Sequence, residues 1–130
     1  MIKTKFTVPI YNVDVLLIQV ESKEDLEIVK KTIKWSNPVD SIVEEITTNV
    51  ENEDTNGAIL VSNDGWKRYM ALFYPITNFD RKVEVYAHEK RHLEDRILEH
   101  NEVHDMESSA LLAGYLGVKF RKFEKLTENG

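Results

Sequence analysis

The stretch Val83-Glu84-Val85-Tyr86-Ala87-His88-Glu89-Lys90-Arg91-His92-Leu93-Glu94-Asp95-Arg96-Ile97 decides how this chain is read. Tyr86, Leu93 and Ile97 recur at helical spacing, and the pattern predicts a helix from about residue 81 or 82 to about residue 100. His88 and His92 fall on the face opposite that apolar stripe. Four residues apart on a helix, they stand one turn apart with β-carbons about 5–6 Å from each other. Both imidazoles can then reach one metal ion at roughly 2.0–2.1 Å. Glu89 projects about 100° further round the helix, so it can touch a water beside the ion without taking a ligand position. H-E-x-x-H on a helix is the spacing that metal-assisted hydrolysis needs.

Outward from this helix the chain alternates between strand and helix signals. Residues 57–61 and 66–74 read as two strands, with Asn63-Asp64-Gly65 between them as a hairpin turn and Pro75 as the stop. Residues 13–20 form a short β-branched run, which predicts a buried strand. Residues 6–11 predict an edge strand, because Pro9 cannot donate to a ladder. Ser22 with Asp25 three residues later marks a helix start, Leu26, Val29 and Ile33 supply its apolar stripe, and Ser36-Asn37-Pro38 ends it. Residues 39–50 carry helical spacing, although Thr47-Thr48 and the valines favour strand, and the acids Asp40, Glu44, Glu45, Glu51, Glu53 and Asp54 read as a solvated face and loop. Downstream, residues 101–105 are a short polar break. A second helix is expected from residue 105 or 106 to about 117, and residues 118–130 read as a polar, frayed tail. The expected architecture is α+β over residues 1–130 as a single domain. It is a small mixed or antiparallel sheet with helices on one face, in which the HExxH helix is followed by a second, ligand-bearing helix.

Composition narrows the function classes. With 130 residues and 42% hydrophobic side chains, the chain can build one core and not two. A charged fraction of 31% with regular apolar periodicity argues for a folded, soluble protein. The net charge of −6 repels phosphate backbones, so no nucleic-acid partner is expected. No cysteine is present, which excludes disulfides and thiolate metal sites; any metal must be held by His, Asp and Glu. The N-terminal residues lack a signal-peptide pattern. The longest apolar run, residues 13–20, is broken by Asp14 and Gln19 and is too short for a bilayer. A cytoplasmic protein without a membrane partner is expected.

A catalytic zinc ion is usually held by three protein ligands with one position open. Asp95, Glu99, His100, His104 and Glu107 are the candidates for the third. Asp95 and Glu99 share the histidines' helix face and cannot close a tetrahedron from the same axis. They suit holding imidazole N–H groups, as does Glu84. Glu107 opens the next helix and can face back across the first, and the small residues Ala110 and Gly114 permit close helix approach. His104, in the connecting turn, is the second choice. Against a ligand role, an acid in a first helical turn is also stabilised by the helix macrodipole. Lys90 and Arg91, in the variable positions of the motif, are what an ordinary wet surface helix would carry.

The stretch Val85-Tyr86-Ala87-His88-Glu89-Lys90-Arg91-His92, followed by Asp105-Met106-Glu107-Ser108-Ser109-Ala110-Leu111-Leu112-Ala113-Gly114-Tyr115-Leu116, resembles the small zincin-like HExxH proteins often encoded by bacteriophages and prophages. Residues 83–118 carry the specific part of the likeness. The resemblance implies a gluzincin-type centre with Zn2+ on His88, His92 and Glu107 and with Glu89 as the base. It implies a metallopeptidase-like hydrolase acting on a peptide or protein substrate, in the host cytoplasm if phage-encoded. Tyr86, Tyr115 and His104 are the candidates for stabilising an oxyanion, and by analogy the strand at 66–74 is the edge along which an extended peptide would lie. The longer metzincin pattern is not met, since Asp95 and Leu98 stand where its Gly and third His belong. The alternative class is a non-catalytic accessory or inhibitor protein of the phage type that retains a metal-binding helix.

Overall fold

The computed structural model describes residues 1–32, 57–62 and 67–129. Over these residues the order is β1 (Ile2–Val8), β2 (Val13–Gln19), α1 (Lys23–Thr32), β3 (Gly57–Val61), β4 (Arg68–Phe73), α2 (Phe79–His100) and α3 (Met106–Asn129). The expected helix at residues 39–50, the Ser36-Asn37-Pro38 stop and the Asn63-Asp64-Gly65 turn lie outside the described residues.

The fold is α+β, built on a four-stranded mixed sheet in the order β1-β2-β4-β3. β1 and β2 form an antiparallel hairpin, closed after Val8 by Pro9 and by Asn12 at a φ of 51°. Asparagine tolerates that left-handed conformation better than most residues. β2 runs parallel to β4, which a hairpin cannot provide, so the chain crosses over between them. β3 returns antiparallel along β4, with Gly57 opposite Phe73 and Val61 opposite Tyr69.

Burial on both faces explains why β2 and β4 are apolar almost without alternation. On one face Val15, Leu17, Tyr69, Ala71 and Phe73 pack against Tyr86, Leu93 and Ile97 of α2 and Leu116, Phe120 and Phe123 of α3. On the other, Ile18, Met70, Leu72 and Tyr74 meet Val29 of α1. This corrects the expectation of helices on one face: α2 and α3 cover one side, and α1 sits on the other.

Two further expectations change. The strand expected at 66–74 is not an edge; β4 is hydrogen-bonded on both sides, and the outer strand on that side is β3. The tail expected to fray is helix, because α3 runs to Asn129. Leu116, Phe120 and Phe123 recur at i, i+4 and i+7 and are buried, and this stripe continues the helix past residue 117 despite its charged outer face.

Local signals set the helix starts. Ser22 Oγ accepts from Asp25 N at 3.2 Å, and Asp25 Oδ2 accepts from Glu21 N at 2.9 Å, one residue earlier than a strict capping box would place it. Asn78 Oδ1 accepts from Arg81 N at 2.9 Å and starts α2 two or three residues before the apolar periodicity suggests; a cap of this kind contributes about 1 kcal/mol. Asp105 Oδ2 accepts from Ser108 N at 2.8 Å and caps α3. Among the described residues no helix is long and apolar enough to cross a membrane.

Candidate metal-binding helix

α2 presents three different surfaces, and the motif is divided among them. Leu93, Ile97 and Tyr86 face the sheet. Glu89 is also inward, only 7% exposed, while His88 and His92 are exposed. The two imidazoles meet nearly edge to face, with their Nε2 atoms 2.9 Å apart. A tetrahedral ion with bonds of roughly 2.0–2.1 Å would hold two ligand nitrogens about 3.3–3.4 Å apart. A few tenths of an ångström of rotamer adjustment therefore separates this pair from a chelating geometry. Without an ion, the same approach is a hydrogen bond from one ring's N–H to the other's lone pair.

Glu89 is positioned by β3. A β-carbon built on Gly57 would stand 2.8 Å from Glu89 Cγ, 3.3 Å from Glu89 Cδ and 3.3 Å from the Leu72 carbonyl oxygen. Only glycine leaves room for the carboxylate there, at the first residue of the outer strand. Burial pushes the Glu89 carboxyl above the usual glutamate range, and the positive charge that His92 and His88 can carry partly offsets this. Gly57 is the residue that sequence reasoning missed. In sequence it marks only the start of a strand, and its close approach to Glu89 depends on tertiary placement.

The far side of α2 meets α3. Lys90 stands roughly 160° from His92 around the helix. Its Cε lies 3.7 Å from where a β-carbon on Gly117 would be. Its Nζ donates to Glu94 Oε2 at 2.9 Å, and Glu94 is buried. Lys90 thus belongs to the helix–helix interface, which explains why a charged residue in the motif's variable position does not make the helix wet there. The close approach uses Gly117; Gly114, expected in that role, has open space beside it. Glu94→Ala should destabilise the fold by about 2 kcal/mol, below the usual ~3–5 for breaking a buried pair because Lys90 keeps some solvent access. Chemical denaturation measures this, and a change under ~0.5 kcal/mol would mean the pair is worth no more than a surface one.

Glu107 lies exposed in the first turn of α3. Among the described residues no group of three His, Asp or Glu side chains gathers as a metal site. Asp95 pairs with Arg91 at 3.4 Å, and Glu84 with Arg81 at 3.8 Å. The His100 Nδ1 is 2.8 Å from the Tyr69 hydroxyl, turned into the sheet. His104 lies in the α2–α3 turn with Asp105.

No family model, curated protein or solved structure matches this chain.

The candidates for an oxyanion donor are equally dispersed. Tyr115 Oη donates to the Thr7 carbonyl at 2.9 Å. Tyr86 packs its ring on Phe73 at 4.2 Å, and burial pushes its phenol up to about 12. The structure brings together His88, His92, Glu89 and Gly57, and gathers no third ligand with them among the described residues.

Proposed function

We propose that this chain is a zinc-dependent hydrolase of peptides whose reacting centre is His88, His92 and Glu89. The observation that carries the proposal is the convergence of the two Nε2 atoms to 2.9 Å beside a carboxylate that β3 holds in place. Neutral imidazole nitrogens without thiolate company suit zinc among the common divalent ions. When bound, such an ion supplies Lewis acidity, lowering the pKa of water and polarising a carbonyl.

The chain's own residues do the rest. His88 and His92 would hold the ion on the outer face of α2. Glu89, inward and beside them, takes a proton from an attacking water at its carboxylate and returns it to the leaving amine. Its raised pKa favours the first transfer, since burial makes the carboxylate a stronger base toward the water's proton. Among the described residues β3 is the outer strand beside Glu89, and an extended peptide adding to that strand would pair with its backbone N–H and C=O groups. The proposed peptide track is therefore β3 and not β4, where the analogy with zincins put it.

A second reading is favoured by one observation, the absence of a third gathered ligand among the described residues. It is a non-catalytic accessory or inhibitor protein in which two histidines hold an ion for structure or docking. Cleavage of a mixed peptide library by the zinc-loaded protein separates the two. The hydrolase reading expects cleavage that Glu89→Gln abolishes, by at least the ~10²–10⁴-fold usual for a general base. Cleavage equal in parent and Glu89→Gln, or none in either with zinc bound, leaves the second reading.

A further inference from the structure

A groove of about 590 Å³ runs between α2 and α3 at their hairpin end, on the side of α2 away from β3. Its α3 wall is made of small side chains, Ser109, Ala110 and Ala113, where leucines would have filled the space. Leu98 and Val103 form an apolar floor, and the wall from Met106 to Ala113 is about 10 Å long at 1.5 Å per residue. The volume lies within the roughly 300–1,000 Å³ of small-ligand pockets.

Charge gives the groove a direction. Arg91 stands at one end and is already paired with Asp95. Glu99 and Asp105 stand at the other, on the hairpin, with Glu102 and Glu107 as exposed acids next to them in the chain. One cation faces three carboxylates along the lining, within a chain of net charge −6. A long, thin occupant with an apolar stem and a cationic head fits this trough, stem on Leu98 and Ala113, head toward Glu99 and Asp105. Lysine and arginine side chains have that form.

We propose that the groove between α2 and α3 docks a lysine- or arginine-bearing segment of a partner protein. The groove shares Asp95 and Glu99 with the face of α2 that bears the histidines but is lined by neither His88 nor His92, and peptide binding to the metal-stripped chain tests it apart from the metal chemistry.

The test is an amide-shift titration of the full chain with the capped peptide Ala-Lys-Ala-Lys-Ala, and with versions carrying norleucine or glutamate in place of lysine. Saturable shifts should appear at Leu98, Val103, Ala110 and Ala113 with the lysine peptide alone. Glu99→Lys should weaken that binding at least tenfold, and so should Ala113→Leu, which fills the trough without changing charge. Both positions can be checked for unchanged melting temperature before titration. Cadaverine, the lysine side chain without a peptide, should bind more weakly than the peptide. Equal shifts with norleucine, no saturation at millimolar peptide, cadaverine binding as tight as the peptide, or full binding by both variants would overturn the proposal.

Discussion

Zinc added to the metal-stripped chain should bind at about one ion per chain, and His88→Ala or His92→Ala should each reduce the affinity by more than a hundredfold. Loss of a residue that merely supports a ligand typically costs roughly 10–100-fold, and these side chains are the ligands themselves. Glu89→Gln should bind as the parent does, because the carboxylate is packed inward on Gly57 and lies outside the coordination geometry of the two Nε2 atoms. Glu107→Ala should also bind as the parent does, since Glu107 is exposed and gathers with no metal-ligating group among the described residues. Titration calorimetry on the four variants reads all of this directly. Unchanged binding in both histidine variants would sink the site. Strong weakening in Glu107→Ala would mean that α3 reaches the histidine face of α2 in the metal-bound protein. That variant therefore tests the three-ligand centre implied by the sequence resemblance against the helix arrangement of the fold.

How far the sequence carried this depends on the range of each signal. The helix around His88 and His92 was legible because its period is local: the apolar stripe and the histidines separate on a wheel, and Asn78 and Asp105 mark helix starts by short-range capping. β3 was legible as a short apolar strand-like run, but its place at the edge of the described sheet was not. Parallel pairing of β2 with β4 puts β4 in the middle, and strand order is a long-range property that no local pattern encodes. The same limit hid which side of α2 would receive α3. Gly114 and Gly117 look alike in sequence, and only the docking shows Gly117 against Lys90. The continuation of α3 was the one avoidable miss. Phe120 and Phe123 extend the Leu112 and Leu116 stripe by the same spacing rule, and the surrounding lysines and glutamates masked it.

Phe73→Ala should cost about 3–5 kcal/mol of stability, the range for removing a buried phenylalanine. Phe73 is fully buried where the sheet and both C-terminal helices meet. Its ring lies 4.2 Å from Tyr86 of α2, and 6.1 and 6.0 Å from Phe120 and Phe123 of α3. Aromatic pairs add roughly 0.5–1.5 kcal/mol each beyond buried area, which places the expected cost in the upper part of the range. Its backbone holds the sheet at the same point: its carbonyl accepts from Val20 N at 3.0 Å, and it stands opposite Gly57 in the ladder. Phe73→Leu keeps most of the apolar volume and loses the ring contacts, so it should cost clearly less. Denaturant titration with an unchanged m value measures both. The consequence for the site is selective. His88 and His92 belong to one helix, so the folded fraction of Phe73→Ala should still bind zinc. Glu89 is held from β3 across the Phe73–Tyr86 contact, so any hydrolysis should fall by more than the loss of folded protein explains. A cost below ~1 kcal/mol would show that α2 and α3 do not close over Phe73. An activity loss that tracks unfolding alone would show that Glu89 keeps its place without β3.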